Sequence, residues 1–63
     1  MITDNQFKKL KPGAKVIVYD EYKREEVEAT IDSIGGYCVQ GVVGLEKHIY
    51  YKEDIRKIID TKK

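Results

Sequence analysis

The sequence predicts an all-β domain in which five short strands curl into one small barrel behind a short N-terminal helix or arm. Three observations lead there. From Ala14 onward the apolar residues recur with a period of two, in short runs separated by glycine or by clusters of charge, which is the pattern of half-buried strands. The chain has 63 residues, and a domain of that size buries only about 60% of its unfolded surface. Strands spread over residues 14–59 therefore cannot fill two packed sheets of ordinary size. Finally, the alternation changes phase at Ser33-Ile34, where one long strand must bend to serve both sides of a barrel.

Residues 1–12 read as an arm or a short helix. Thr3 or Asp4 can cap it, and Phe7 and Leu10 lie three apart on one face, so both must dock on something. Pro12-Gly13 ends it and launches the first strand. The barrel is expected over residues 13–59, with residues 60–63 as a polar tail. In "AKVIVYD", Val16 and Val18 share one face, with Lys15, Ile17 and Tyr19 on the other. "DEYKREE" follows, seven residues of which six are charged, and reads as an exposed loop. "VEATIDSI" alternates cleanly, sending Val27, Ala29 and Ile31 inward. Gly35-Gly36 reads as a hairpin turn that tolerates positive φ.

"YCVQGVV" is the third strand, with Val39, Gly41 and Val43 on one face and Cys38, Gln40 and Val42 on the other. Gly44 to Lys47 reads as a second turn, and "HIYY" as a fourth strand. Its inward set is either Ile49 with Tyr51 or His48 with Tyr50. "KED" forms a single tight helical turn before "IRKII", a last strand through Ile55 and Ile58. The expected core is Val16, Val18, Val27, Ala29, Ile31, Val39, Val43, Ile55 and Ile58.

Composition narrows the function. Twelve basic residues against eleven acidic ones leave a net charge of +1, without the positive excess of a dedicated, sequence-independent nucleic-acid binder. A content of 41% hydrophobic residues with five tyrosines is too apolar for a disordered tail. One cysteine, Cys38, excludes an internal disulfide, and with only His48 beside it a Cys/His zinc site lacks ligands. No metal or other cofactor is expected. There is no signal-like opening, and no apolar run approaches the ~20 residues of a membrane span. The expectation is a cytoplasmic monomer, a small accessory protein of bacterial or phage type.

Cys38 and His48 are the only nucleophile–base candidates of their kind, with no third group to orient them. Asp20, Glu21, Glu25 and Glu26 stand on the loop, where nothing desolvates them for acid–base work. Lys23 and Arg24 interrupt the same carboxylates as calcium ligands. The chain reads as a non-enzyme.

The order of motifs resembles that of SH3-like barrels, and within them most resembles Tudor domains. The resemblance covers Leu10 to Ile59. It rests on Gly13-x-x-Val16, on "EATIDSI", on "YCVQ" and on "EDIRKI". It implies a five-stranded barrel whose first and last strands pair. Tudor domains that bind methylated arginine or lysine do so in a cage of aromatic rings. Here the positions matching that cage carry Asp20 and Val27, so the resemblance brings no cage with it; a shifted set would be Tyr19, Tyr22 and Tyr37. "VIVYDEY" also resembles the opening of proline-binding SH3 domains, but the chain has no Trp. KOW-type barrels are similar too, yet their Gly-rich basic loop is here the mixed-charge stretch Asp20–Glu26.

Two readings of function follow. The first is a protein–protein module that holds a partner segment in a groove between the charged loop and the third and fourth strands, against Tyr19, Tyr22, Tyr37, Tyr50 and Tyr51. The second is nucleic-acid binding. Pairing of the first and last strands would merge Lys8, Lys9, Lys11 and Lys15 with Arg56, Lys57, Lys62 and Lys63 into a basic face, with tyrosines stacking on bases.

Overall fold

The computed structural model describes residues 2–60. Met1 and residues 61–63, which include Lys62 and Lys63 of the expected basic face, lie outside the described residues. The expected helix forms over Asp4–Lys8 (α1). Thr3 caps it: its Oγ1 accepts from the Gln6 amide at 3.1 Å while Gln6 Oε1 accepts from the Thr3 amide at 2.8 Å, a reciprocal capping box. Ile2 and Phe7 stand at the two positions of a hydrophobic staple around that cap. Ile2 and Leu10 are buried members of the core cluster and Phe7 packs against that cluster, so this segment is part of the core and not an appended arm.

The strands are β1 (Lys15–Asp20), β2 (Glu25–Ile34), β3 (Cys38–Val43), β4 (Glu46–Tyr51) and β5 (Ile55–Asp60), with a 3₁₀ turn over Lys52–Asp54. They form one antiparallel sheet in the order β4-β3-β2-β1-β5. First and last strands pair, as expected. The expected barrel is not closed, however: β4 and β5 remain the two edges. A flat sheet of five strands would hold those edges about 19 Å apart, while three residues of 3₁₀ turn span roughly 8 Å. The sheet must therefore roll until its edges approach at that corner, and it stops short of pairing them.

Irregular register supplies the curl. β2 and β3 slip between Ile31 and Ser33, so the extra residue is Asp32, next to the predicted bend. β5 carries two extra residues against β1. Val18 pairs with Ile55 and Ile17 with Lys57, then Val16 with Ile58 and Lys15 with Asp60. Arg56 and Ile59 are thus bulged out, which lets Ile55 and Ile58 both face inward at a spacing of three. β5 runs through Asp60, one residue into the expected tail.

The turns differ from expectation in extent. "DEYKREE" is not a seven-residue loop, because Asp20 pairs with Glu25 and only Glu21–Arg24 turn. Asp20 Oδ1 accepts from the amides of Tyr22 and Lys23 at 2.9 and 3.1 Å, an Asx-type arrangement that lets the strands continue into the charged stretch. The fourth strand begins at Glu46, leaving Gly44-Leu45 as a two-residue turn with Gly44 at φ 64°. Gly35-Gly36, by contrast, uses no positive φ.

Among the described residues the buried apolar side chains are those of Ile2, Leu10, Ala14, Val16, Val18, Ala29, Ile31, Val39, Tyr50 and Ile55. Val27, Val43 and Ile58, expected in the core, are half-buried at its margin. Tyr50 with His48 is the inward set of β4, since Ile49 and Tyr51 are 61% and 53% exposed. Gly41 explains the choice: a side chain there would meet the Tyr50 ring at 3.1 Å, so the ring occupies the space that the glycine vacates.

Candidate groove interface

The rolled sheet brings the end of β1 and the β1–β2 turn opposite β4. Between them lies a groove of about 350 Å³ lined by Tyr19, Asp20, Glu21, Tyr22, His48, Ile49, Tyr50, Tyr51 and Asp54. Four of the five expected tyrosines meet here. Tyr22 stands at the tip of the turn, 98% exposed. Tyr19 is half-buried, with the Arg56 guanidinium 5.3 Å from its ring centroid. Tyr51 presents a half-exposed ring.

Two expectations need correction. Tyr50 is not an exposed anchor: it is 7% exposed, a core residue that shows only part of its ring to the groove. Tyr37 is exposed but lies elsewhere, in a second concavity with Asp4, Phe7, Lys8, Gly36, Tyr51, Lys52 and Glu53. It sits on the β2–β3 connection, at the opposite end of β2 from the β1–β2 turn. A shifted cage from Tyr19, Tyr22 and Tyr37 is therefore not assembled. Val27, at the other cage position, packs against the core instead.

The groove is acidic as well as aromatic. Asp20 is fixed by the two turn amides, and Asp54 Oδ2 accepts from the Tyr51 amide at 3.0 Å. Each carboxylate keeps its second oxygen without a donor among the described residues. Burial pushes the Tyr50 phenol above the ordinary tyrosine range, and the nearby charges of Asp20, Asp54 and Glu46 push it further. His48, the one basic residue among the described residues that line the groove, has Nε2 3.3 Å from Glu46 Oε2. These acidic partners were the part that sequence reasoning missed. In the sequence Asp20 stands at a cage position on a charged stretch and Asp54 in a tight turn, and neither spacing shows that the two share a groove.

In the second concavity Lys52 pairs with Asp4, tying α1 to the 3₁₀ turn. That hydrogen bond, with the charge of Lys52, holds the Asp4 carboxyl below the usual range. The same bond to Asp4 raises Lys52.

The other candidate groups do not converge. Cys38 lies opposite Tyr51 and His48 opposite Gly41, so the two are offset along the strands and on opposite faces. Among the described residues, no three His, Cys, Asp or Glu side chains are grouped to hold a metal ion. Of the expected basic face, Lys15 (opposite Asp60) and Lys57 (opposite Ile17) share the outer side of the β1–β5 ladder, Arg56 lies over the Tyr19 ring, and Lys8 faces the second concavity. Lys9 and Lys11 are exposed beside α1. Among the described residues no helix is long and apolar enough to cross a membrane. Comparison with protein-family models, with characterised proteins and with solved structures finds no match to this chain.

Proposed function

We propose that this chain is a non-catalytic module that binds a segment of a partner protein in the groove between the β1–β2 turn and β4. The observation that carries the reading is the convergence of Tyr19, Tyr22, Tyr50 and Tyr51 on one concave surface, with Tyr22, Ile49 and Tyr51 exposed there. Aromatic side chains of this kind anchor interfaces because they bury large area for little lost rotamer freedom. We read the rolled sheet as a relative of SH3-like barrels, nearest to Tudor domains in its motif order. The return of β5 onto β1 supports that kinship, and the methyl-cation cage has no part in it. A cytoplasmic setting suits the free thiol of Cys38.

Nucleic-acid binding through the basic residues is the competing reading. Asp60, the engagement of Arg56 and the carboxylates of the groove all weigh against it. Titrating isotope-labelled protein with short single- and double-stranded oligonucleotides, at low and moderate salt, separates the two. The expected result is weak shifts that vanish with salt. Peptides selected from a displayed random library should instead shift residues 19–22 and 48–54, and Tyr22→Ala should weaken them by about thirtyfold. Salt-resistant oligonucleotide binding at Lys8–Lys15 and Arg56–Lys57 would replace the module with the nucleic-acid reading.

A further inference from the structure

The groove coincides with the free edge of β4. His48, Ile49, Tyr50 and Tyr51 all line it. Successive strand side chains point to opposite faces, so a groove that touches four in a row runs along the backbone edge and not over one face. The other side of β4 is covered by β3 in unbroken register.

Hairpin geometry says which backbone groups that edge offers. A two-residue turn closes on a hydrogen-bonded pair, here Val43 with Glu46. Alternation then makes Gly41–His48 and Val39–Tyr50 the bonded pairs. The N–H and C=O of Lys47, Ile49 and Tyr51 consequently face away from β3. Tyr51 agrees, because its outward N–H is the one that Asp54 takes. The amides of Lys47 and Ile49 have no partner among the described residues. The opposite edge, β5, is bulged at Arg56 and Ile59 and offers no such flat ladder.

We infer that the partner segment binds as an added β-strand on β4, pairing through Ile49 and Lys47, and carries a lysine or arginine to the carboxylates of Asp20, Glu21 and Asp54. This rests on the module reading and specifies its mode. The backbone ladder supplies affinity and the side chains supply selection. A cation is the complement of the site because tyrosine rings and carboxylates both attract one. A second copy of the chain is a poor occupant. Twofold pairing of β4 with itself would bring two sets of those carboxylates together.

The test uses the best binder from the random peptide library and the full chain. N-methylation of the peptide backbone, one residue at a time, should abolish binding at every second position within the paired stretch. Ile49→Pro should keep the fold, since that N–H serves no bond to β3, while losing the peptide. Replacing the peptide's arginine or lysine by a neutral isostere should weaken binding about tenfold, and Glu21→Gln about two- to fivefold. Groove-binding peptides that tolerate N-methylation everywhere and still bind Ile49→Pro would overturn the added strand and leave the module standing. Selected peptides without a shared basic residue would overturn the cation assignment. Shifts at Lys47 and Ile49 that grow with protein concentration alone would give the edge to a second copy. Failure of the library to yield any groove binder would remove the module reading and this inference together.

Discussion

Tyr50 belongs to the core by its ring and to the groove by its chemistry. Its phenol is raised above the ordinary tyrosine value of about 10, first by burial and then by Asp20, Asp54 and Glu46. A proton held more tightly in the folded chain stabilises it below the unfolded value, and that contribution is lost as pH rises through the folded one. Tyr50 should therefore ionise late, above the ordinary tyrosine range, when phenolate absorbance is followed. In Tyr50→Phe that late phase should disappear, and part of the fall in stability above about pH 10 with it. If the late phase persists, another tyrosine owns it. Gly41 fixes the ring from the opposite strand. Gly41→Val should push on the ring and on Ala29 and cost about 1–3 kcal/mol, read from the denaturation midpoint. Gly36→Ala, which meets nothing within 4 Å, should be neutral or stabilising by up to about 1 kcal/mol. Period-two reading could not choose between the two faces of "HIYY", because both sets are apolar enough. The deciding information lay across the ladder, in a missing side chain at residue 41.

At the scale of elements, the strands were legible where apolar alternation is visible and foreshortened where charge hides it. "DEYKREE" looked like a loop because its side chains are polar, yet an exposed ladder needs no apolar residue when an aspartate supplies the turn's hydrogen bonds. The spacing of Ile55 and Ile58 pointed to a strand without revealing its two bulges, which exist only relative to β1. Helix α1 was legible from its cap and from Phe7 and Leu10. Ile2 was missed because a single apolar residue before a cap carries no periodicity. This element is too short to persist alone, so its stability is that of its docking. Leu10→Ala should cost about 2–5 kcal/mol and lower the urea midpoint of the whole domain. A loss confined to the α1 amides, with the sheet unchanged, would show that the segment is an appendage after all.

For the whole molecule, five short strands were legible in the sequence, the pairing of first with last strand came only with the resemblance to SH3-like barrels, and the expected closure does not occur. Whether two edges finally pair depends on a few ångströms of roll, set by Asp32, Arg56 and Ile59 together and by no residue alone. The groove's membership was hidden for a similar reason: the β1–β5 register sets Asp54, one residue before Ile55, beside the end of β1 and Asp20, while Tyr37 stays out at the far end of β2 from the β1–β2 turn. The chief consequence of the roll concerns the order in which the chain assembles. Strands β1 to β4 form a meander of neighbours, whereas β5 must find β1 across most of the sequence. Closing so long a loop from the unfolded chain is slow. Once the meander has rolled, however, the 3₁₀ turn delivers β5 to its partner through three residues, and the remaining entropy is that of ordering one short strand. β5 should accordingly join last and leave first. In native-state hydrogen exchange its amides should open as a unit at lower free energy than those of β2, and equal protection in the two strands would contradict that sequence of events.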